Sequence, residues 1–190
     1  MIMTAPRDRE LIDALDAMAV EPFSGTVWRV RREGFDPTVF YAGGNRWDDG
    51  SFEVLYTALD REGALAEMRF HLSRGQPVIP SKIRYSLHEL IVDVPGIIDL
   101  TDWTFLERFG VEKSGFGRMP YLSRETEYSA CQRIGEAIHF LGSDDPSDPS
   151  GFLVPNARRE GRNLILLGDY MPIENIHHVK DHGVIDWNVV

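Results

Sequence analysis

The chain has 190 residues and a formal net charge of −10, and hydrophobic residues make up 43% of it. A chain of this length and hydrophobic content can bury a substantial core, so we expect one globular domain over residues 1–190 and exclude a disordered protein. An acidic chain is a poor partner for nucleic acid or anionic lipid, because phosphate binding requires clustered lysine and arginine side chains.

The cysteine count and the hydropathy pattern indicate the cellular compartment in which the protein is expected. Cys131 is the single cysteine of the sequence, which excludes an internal disulfide and suits a reducing environment. We expect a buried thiol there rather than a nucleophile. The first residues lack a basic segment followed by an apolar run, and no stretch reaches about 18 apolar residues, so neither a signal peptide nor a membrane span is predicted. The sequence therefore predicts a cytoplasmic protein.

The first predicted elements are a helix over residues 7–19 and a strand over residues 26–31. Alternation along this strand places Trp28 on one face and both Arg29 and Arg31 on the other. Two arginines on one strand face are compatible with a solvated edge. They are equally compatible with a phosphate clamp, since a guanidinium binds phosphate oxygens in pairs.

A glycine turn follows at Gly43 and Gly44, within the segment GGNRWDDG. The segment lacks the Gly-Lys-Ser/Thr ending of a P-loop and the spacing of the dinucleotide-binding glycine motif. Arg46 and Trp47 must therefore be judged on their own chemistry. Arg46 either forms a surface ion pair with a nearby acid or reaches a bound phosphate or carboxylate in a cleft.

Residues 52–58 form a predicted strand with Tyr56 near its carboxyl end, where ligands commonly bind in α/β proteins. The alternative for Tyr56 is a core position with its hydroxyl satisfied. A helix over residues 61–73 follows, with Asp60 as its N-cap. Glu67 lies at the edge of the apolar stripe of this helix, so it is either a paired boundary residue or a functional carboxylate.

The rest of the chain predicts mainly structural elements. Strand segments occur over residues 83–94, and Pro95-Gly96 predicts a turn. The remaining predicted elements are short helices and strands, namely a helix over 102–109, a helix capped by Ser123, and strands over 152–154 and 163–167. The carboxyl-terminal segment contains His177, His178 and His182, but adjacent strand residues point to opposite faces and no acid stands at ligand spacing. A metal site is therefore not predicted.

Taken together, these motifs resemble the RES-domain family, the toxins of bacterial Xre–RES toxin–antitoxin pairs, whose members include ParT and MbcT. The resemblance covers most of the chain and depends on five segments: Trp28-Arg29-Val30, Gly44-Asn45-Arg46-Trp47, Val54-Leu55-Tyr56-Thr57-Ala58, Ala64-Leu65-Ala66-Glu67 and Val154-Pro155-Asn156-Ala157-Arg158. The family is named for an arginine, a glutamate and a serine. Arg29 or Arg46 matches the arginine and Glu67 the glutamate. Asn156 stands where the serine is expected, which excludes a serine nucleophile but keeps hydrogen bonding available.

The resemblance implies an ADP-ribosyltransferase-like α/β (α+β) fold, a compact twisted β core flanked by helices. It also implies NAD as a consumed substrate, not a redox cofactor. The implied outcomes are transfer of one ADP-ribose to a protein, with phosphoribosyl pyrophosphate synthetase as the target known for ParT, or breakdown of NAD by hydrolysis or phosphorolysis. The implied partner is a cognate antitoxin of the Xre/ParS kind that covers the active site.

On this basis we expect Glu67 to stabilise positive charge developing on the ribose, and Arg29, Arg31 and Arg46 to hold the pyrophosphate. Tyr56 or Trp47 would form a flat wall for the nicotinamide ring. Thr57 and Asn156 complete the predicted binding set. Two rival readings are a metal-dependent hydrolase that uses the carboxyl-terminal histidines and a non-enzymatic module that binds an anion or a protein.

Overall fold

The computed structural model describes residues 7–73, 82–118 and 124–189. Its helices are α1 (Arg9–Asp16), α2 (Arg61–Ser73), α3 (Trp103–Arg108) and α4 (Arg124–Leu141). Its strands are β1 (Val20–Arg32), β2 (Val54–Ala58), β3 (Tyr85–Asp99), β4 (Gly151–Pro155), β5 (Arg162–Leu167) and β6 (Ile176–Val184). A 3₁₀ turn, Ile173–Asn175, precedes β6.

The strands form one sheet of six strands in the order β1-β2-β5-β4-β3-β6, and β1 also pairs with β3. This extra pairing closes a ring through β1, β2, β5, β4 and β3, while β6 extends β3 on its outer side. The pairing of β3 with β4 is parallel, and the other pairings are antiparallel. The predicted mixed α+β architecture, a twisted β core with flanking helices, is confirmed.

The longest pairing in the ring joins β1 and β3, from Val20 opposite Ile98 to Arg32 opposite Tyr85. In contrast, the described residues join β1 to β2 through one pair, Trp28 opposite Ala58. Because the two strands separate beyond this pair, space is left between them for a cavity.

The helices cover the sheet through apolar side chains. Leu11 and Leu15 of α1 and Cys131 and Ile134 of α4 are buried in the same cluster as Phe152 of β4. The expected buried state of the Cys131 thiol is thus confirmed. A second cluster lies around Leu90, Val92 and Leu164 and occupies the interior between β3 and β5. No helix among the described residues is long and apolar enough to cross a membrane.

Local signals account for most element boundaries. The helix predicted over residues 61–73 has those bounds, and Asp60 caps it by accepting a hydrogen bond from the Gly63 N–H at 2.7 Å. The turn predicted at Pro95-Gly96 is wrong, because β3 continues through both residues to Asp99. Contacts with a distant segment of the same chain override the local signal there. Gly96 O accepts hydrogen bonds from the N–H of Ser150 and, at 3.1 Å, from its hydroxyl. The predicted cap Ser123 lies outside the described residues.

Candidate active site

A cavity of about 320 Å³ lies where β1 and β2 separate, with α2 along one side. Among the described residues, arginines, tyrosines and one carboxylate share its wall. The charged and aromatic lining residues are Trp28, Arg29, Arg31, Arg32, Tyr41, Arg46, Trp47, Tyr56, Glu67, His71, Tyr85 and Tyr128. Thr57 also lines the cavity, so the fold brings together every predicted site residue except Asn156.

The glycine turn is held by Asp48, a fully buried residue. Its carboxylate accepts hydrogen bonds from the N–H groups of Gly43 (3.1 Å), Gly44 (2.6 Å) and Asn45 (3.0 Å). Gly44 has a φ of 63°, a conformation that favours glycine. The three N–H groups that could have cradled a phosphate are therefore already occupied by a protein carboxylate.

Asp48 also fixes Tyr56. The Tyr56 hydroxyl donates to Asp48 Oδ2 at 2.9 Å and accepts from the Trp47 N–H at 2.9 Å. Burial, and then the charge of Asp48, raise the pKa of the Tyr56 phenol well above its usual range. The hydroxyl is therefore protonated at neutral pH and serves as a fixed anchor between β2 and the glycine turn.

Arg46 and Trp47 lie inside the protein, which rules out an exposed ion pair for Arg46. The Arg46 guanidinium carbon is 4.6 Å from the ring centroid of Phe116 and 4.8 Å from that of Tyr128, in cation–π geometry. The Trp47 indole is only 2% exposed and contacts Phe116 and Phe152 in the core. Trp47 thus packs against two core rings and also belongs to the cavity wall.

Arg29 and Arg31 differ in how much of their hydrogen-bonding capacity is used. Arg29 is buried and donates through Nη1 to the carbonyls of Pro37 (2.5 Å) and Val39 (3.0 Å). Burial, and then the charge of Arg31, lower the pKa of Arg29 to about 10, so it stays charged at neutral pH. Nε of Arg31 is buried and has no hydrogen-bond partner among the described residues. Both arginines line the cavity, but Arg29 also supports a loop.

Glu67 extends from α2 to the cavity wall, with 22% of its side chain exposed. Its Oε1 accepts hydrogen bonds from the Ala157 N–H at 2.9 Å and from Asn163 Nδ2 at 3.2 Å. Its Oε2 lies 3.6 Å from Nε of Arg158, whose side chain is 8% exposed. Glu67 is thus a paired residue that also lines the cavity.

Asn156 and Thr57 use their polar atoms within the protein. Asn156 Nδ2 donates to Asn163 Oδ1 at 2.9 Å and to Gly63 O at 3.4 Å, and the Asn156 side chain is not part of the cavity wall. The Thr57 hydroxyl donates to the Leu164 carbonyl at 2.8 Å. The structure thus brings Thr57 to the cavity with its hydroxyl engaged and leaves Asn156 behind the wall.

The comparisons with known proteins agree with this architecture. The model of the family described as "RES domain" matches residues 26–188. The chain belongs to the RES domain family. A search of curated protein sequences gave no significant match. Among solved structures, the chain is similar to one from the M. tuberculosis MbcT–MbcA toxin–antitoxin complex, with 20% identity, a TM-score of 0.75 and coverage of 96% of this chain and 95% of that one.

The RES domain match contains the whole cavity wall, from Trp28 to Asn163. It also contains wall residues to which the sequence gave no role: Tyr41, His71, Tyr85 and Tyr128. His71 follows Glu67 by one helical turn, and this i, i+4 spacing was a signal that could have identified it. No local signal identifies Tyr85 or Tyr128, because they reach the cavity only through pairing of distant strands and packing of α4.

The histidines of the carboxyl-terminal segment are dispersed over this RES domain. Nε2 of His178 lies 3.2 Å from Nδ1 of His88. His182 lies 2.9 Å from a carboxylate oxygen of Glu89, and its ring is tilted by 49° against that of Trp28 with the centroids 5.0 Å apart. Within the described ranges, no group of three His, Cys, Asp or Glu side chains could hold a metal ion. The histidines instead join β6 to β3 and β1.

Proposed function

We propose that this RES-domain protein is the toxin of a bacterial toxin–antitoxin pair, formed by one domain over residues 1–190, and that it consumes NAD by transferring ADP-ribose to a protein. The observation that carries the proposal is the composition of the cavity wall: among the described residues, one carboxylate, Glu67, shares it with four arginines, Arg29, Arg31, Arg32 and Arg46. A dinucleotide with a pyrophosphate and a cationic nicotinamide ribose requires this combination of charges.

Arg31 is the best candidate to bind the pyrophosphate. Its Nε is buried at the cavity without a described partner, and an unpaired buried donor is unfavourable until an acceptor arrives. Nη1 of Arg29 is already engaged by two loop carbonyls. Arg46 contributes charge from its position between two aromatic rings.

Tyrosines supply the aromatic surface of the proposed site. Tyr41 is 37% exposed and lines the cavity, and Tyr85 and Tyr128 line it as well. Tyr56 is held at its hydroxyl by Asp48, so its ring presents a fixed edge of the wall. Fixed rings of this kind can stack on the nicotinamide or adenine without losing much side-chain freedom on binding.

Glu67 acts at the ribose in this proposal. Cleavage breaks the bond between ribose C1′ and the nicotinamide nitrogen, and neutral nicotinamide leaves with the bonding electron pair. The acceptor group then bonds to C1′ and loses its proton, so the products are ADP-ribosylated acceptor, nicotinamide and H⁺. Because Oε1 already accepts two hydrogen bonds, Oε2 is the oxygen available to a ribose hydroxyl and to the positive charge that develops on the ring.

The decisive experiment measures nicotinamide release from NAD by the purified protein, with phosphate and with cell lysate. Mass spectrometry separates a mass addition on a protein, phosphoribosyl pyrophosphate synthetase included, from free or phosphorylated ADP-ribose. Glu67→Gln should reduce release by about 10³-fold, the scale of losing a main electrostatic stabiliser. Glu62→Gln is the matched control, because Glu62 is exposed on the same helix and pairs only with Arg61 in the described contacts. Full activity of Glu67→Gln, or intact NAD with the wild-type protein, would refute the proposal.

The partner in this proposal is a cognate antitoxin that covers the cavity, and the similar solved structure is itself named as a toxin–antitoxin complex. Expression of the chain alone should arrest growth of a bacterial host, and expression of Glu67→Gln should not. Co-expression of the antitoxin should restore growth and protect NAD in the purified complex. Growth arrest of equal strength by the Glu67→Gln protein would show that toxicity does not require this chemistry.

A further inference from the structure

The carboxylate of Glu67 is oriented by a turn that lies far away in sequence. The Ala157 N–H and Asn163 Nδ2 both donate to Oε1, across separations of 90 and 96 residues. Arg158 Nε lies near Oε2 from the same turn. A helical glutamate has three rotatable bonds, and these contacts at both oxygens restrict it to one orientation at the cavity wall.

Asn156 organises this turn from behind the cavity wall. Its Oδ1 accepts hydrogen bonds from the N–H groups of Arg158 (2.9 Å) and Arg159 (3.2 Å), while its Nδ2 contacts Asn163 and Gly63. One amide therefore fixes the turn and ties it to β5 and α2. Because Ala157 is held between these bonds, its N–H points at Glu67 and not into the cavity.

Arg158 adds a second connection, to the loop at residues 112–118. Its guanidinium carbon lies 3.3 Å from the ring centroid of Phe70, and its Nη1 donates to the carbonyl of Gly117. A Cβ at Gly117 would lie 1.8 Å from Ala157 O, so this loop and the turn are in direct contact. The same buried side chain thus contacts the loop, the helix and Glu67.

We propose that Asn156 and Arg158 are positioning residues that hold Glu67 in its reactive orientation, and that this chain uses an asparagine behind the wall where its family is named for a serine. The inference rests on the proposed function for its kinetic consequence. Neither side chain lines the cavity, so neither acts on the substrate directly. Both act through Glu67: Arg158 at Oε2, and Asn156 through Ala157 and Asn163.

The kinetic test uses Arg158→Met, which keeps a long apolar side chain over Phe70 but removes the charge, and Asn156→Asp, which keeps the acceptor but removes the donor. We expect kcat for nicotinamide release to fall about 10²-fold in Arg158→Met, with KM for NAD changed less than about threefold, because orientation and not binding is lost. Arg158→Lys should recover part of kcat. Arg159→Met is the matched control, since that side chain is more exposed and its ion-pair partner is Asp60 at 3.9 Å.

The same substitutions are then combined with Glu67→Gln. If Arg158 acts through Glu67, Arg158→Met should reduce the residual rate of Glu67→Gln far less than it reduces the wild-type rate. Equal reductions in both backgrounds, or an unchanged kcat in both Arg158→Met and Asn156→Asp, would overturn the inference. If the wild-type protein and these variants cleave NAD equally well, the inference is refuted and the proposed function stands.

A second readout does not depend on turnover. The amide proton of Ala157 should shift in Glu67→Gln, Arg158→Met and Asn156→Asp, because each disturbs the hydrogen bond from Ala157 to Oε1. Thermal unfolding of each variant shows whether it is folded. An Ala157 amide signal that is unchanged in the folded Arg158→Met and Asn156→Asp proteins would overturn the positioning role even if NAD is not the substrate.

Discussion

Two turns on different sides of the cavity are each organised by one short side chain, but they are built differently. Asp48 accepts hydrogen bonds from the three backbone N–H groups of residues 43–45, all within five positions of itself. Asn156 accepts hydrogen bonds from the nearby N–H groups of Arg158 and Arg159, and it also donates to the carbonyl of Gly63, 93 residues away. The first turn is therefore a nearly self-contained unit that adds an anchor for Tyr56. The second turn is held by contacts with α2 and β5 as well as by its own residues. Its Ala157 N–H donates to the carboxylate of Glu67.

The largest effect is expected from removing the charge of Asp48 at the first turn. Asp48→Asn would place amide hydrogens against backbone N–H donors in a fully buried site, so we expect a loss of about 3 kcal/mol in the free energy of unfolding. Urea unfolding monitored by tryptophan fluorescence measures this loss. Asp49→Asn is the control, because Asp49 is exposed and an asparagine retains the acceptor for Ser51. A loss in Asp48→Asn no larger than in the control would contradict the buried-carboxylate account.

A second prediction separates the two arginines that line the cavity from β1. Arg29→Met should lower the free energy of unfolding by about 2 kcal/mol, since the carbonyls of Pro37 and Val39 lose a charged donor. Arg31→Met should leave stability nearly unchanged and raise KM for NAD about tenfold, the scale of one lost charged hydrogen bond. Paired denaturant and steady-state measurements would decide between these roles. The opposite pattern would assign pyrophosphate binding to Arg29.

A smaller effect is expected from removing the anchor that Asp48 supplies. Tyr56→Phe leaves the Trp47 N–H without its 2.9 Å acceptor, so a loss of about 1 kcal/mol in the free energy of unfolding is expected. Asp48 keeps its three backbone donors in this variant, and the turn should persist. If Tyr56→Phe is as destabilising as Asp48→Asn, the turn depends on the phenol and is not self-contained.

The smallest predicted effect is a pH dependence. Burial, as the largest cause, lowers the pKa of His88 below its ordinary value of 6.5. The unfolded chain therefore binds this proton more readily than the folded one, and stability falls as pH drops through 6.5. His88→Gln should reduce the change in urea midpoint between about pH 7.5 and 5.5, a window set by the histidine pKa. An unchanged pH dependence would show that other groups cause it.

The sequence predicted the parts of the site that depend on local chemistry. Asp60 caps α2 as expected, and Arg29 and Arg31 both line the cavity. The role of Asp48 was missed because a carboxylate in a polar segment is indistinguishable, by pattern, from a surface acid. The segment that contains Asp48 is also contacted by Gln132 of α4, which donates to the carbonyls of Asn45 and Asp48 from more than 80 residues away.

The positions of the aromatic residues could likewise not be predicted from local sequence patterns. Tyr56 or Trp47 was expected to form a flat wall for the nicotinamide ring, and α4 approaches Trp47 so closely that a Cβ at Gly135 would lie 1.9 Å from Trp47 O. The Trp47 indole is almost wholly buried, although the residue still belongs to the wall. Tyr85 and Tyr128, which carried no pattern of their own, line the cavity as well. Tertiary packing, which local spacing does not encode, decided which aromatic rings face the cavity.

The long separations between Glu67 and its supporting residues also constrain when the site can form during synthesis. A ribosome releases the chain from its amino terminus, and domains fold as their parts emerge. Glu67 leaves the ribosome 90 residues before Ala157 and 96 residues before Asn163. A nascent chain can therefore carry the complete helix α2 while its carboxylate is still unoriented. The carboxylate of Glu67 can therefore take the orientation seen here only after residue 163 has left the ribosome.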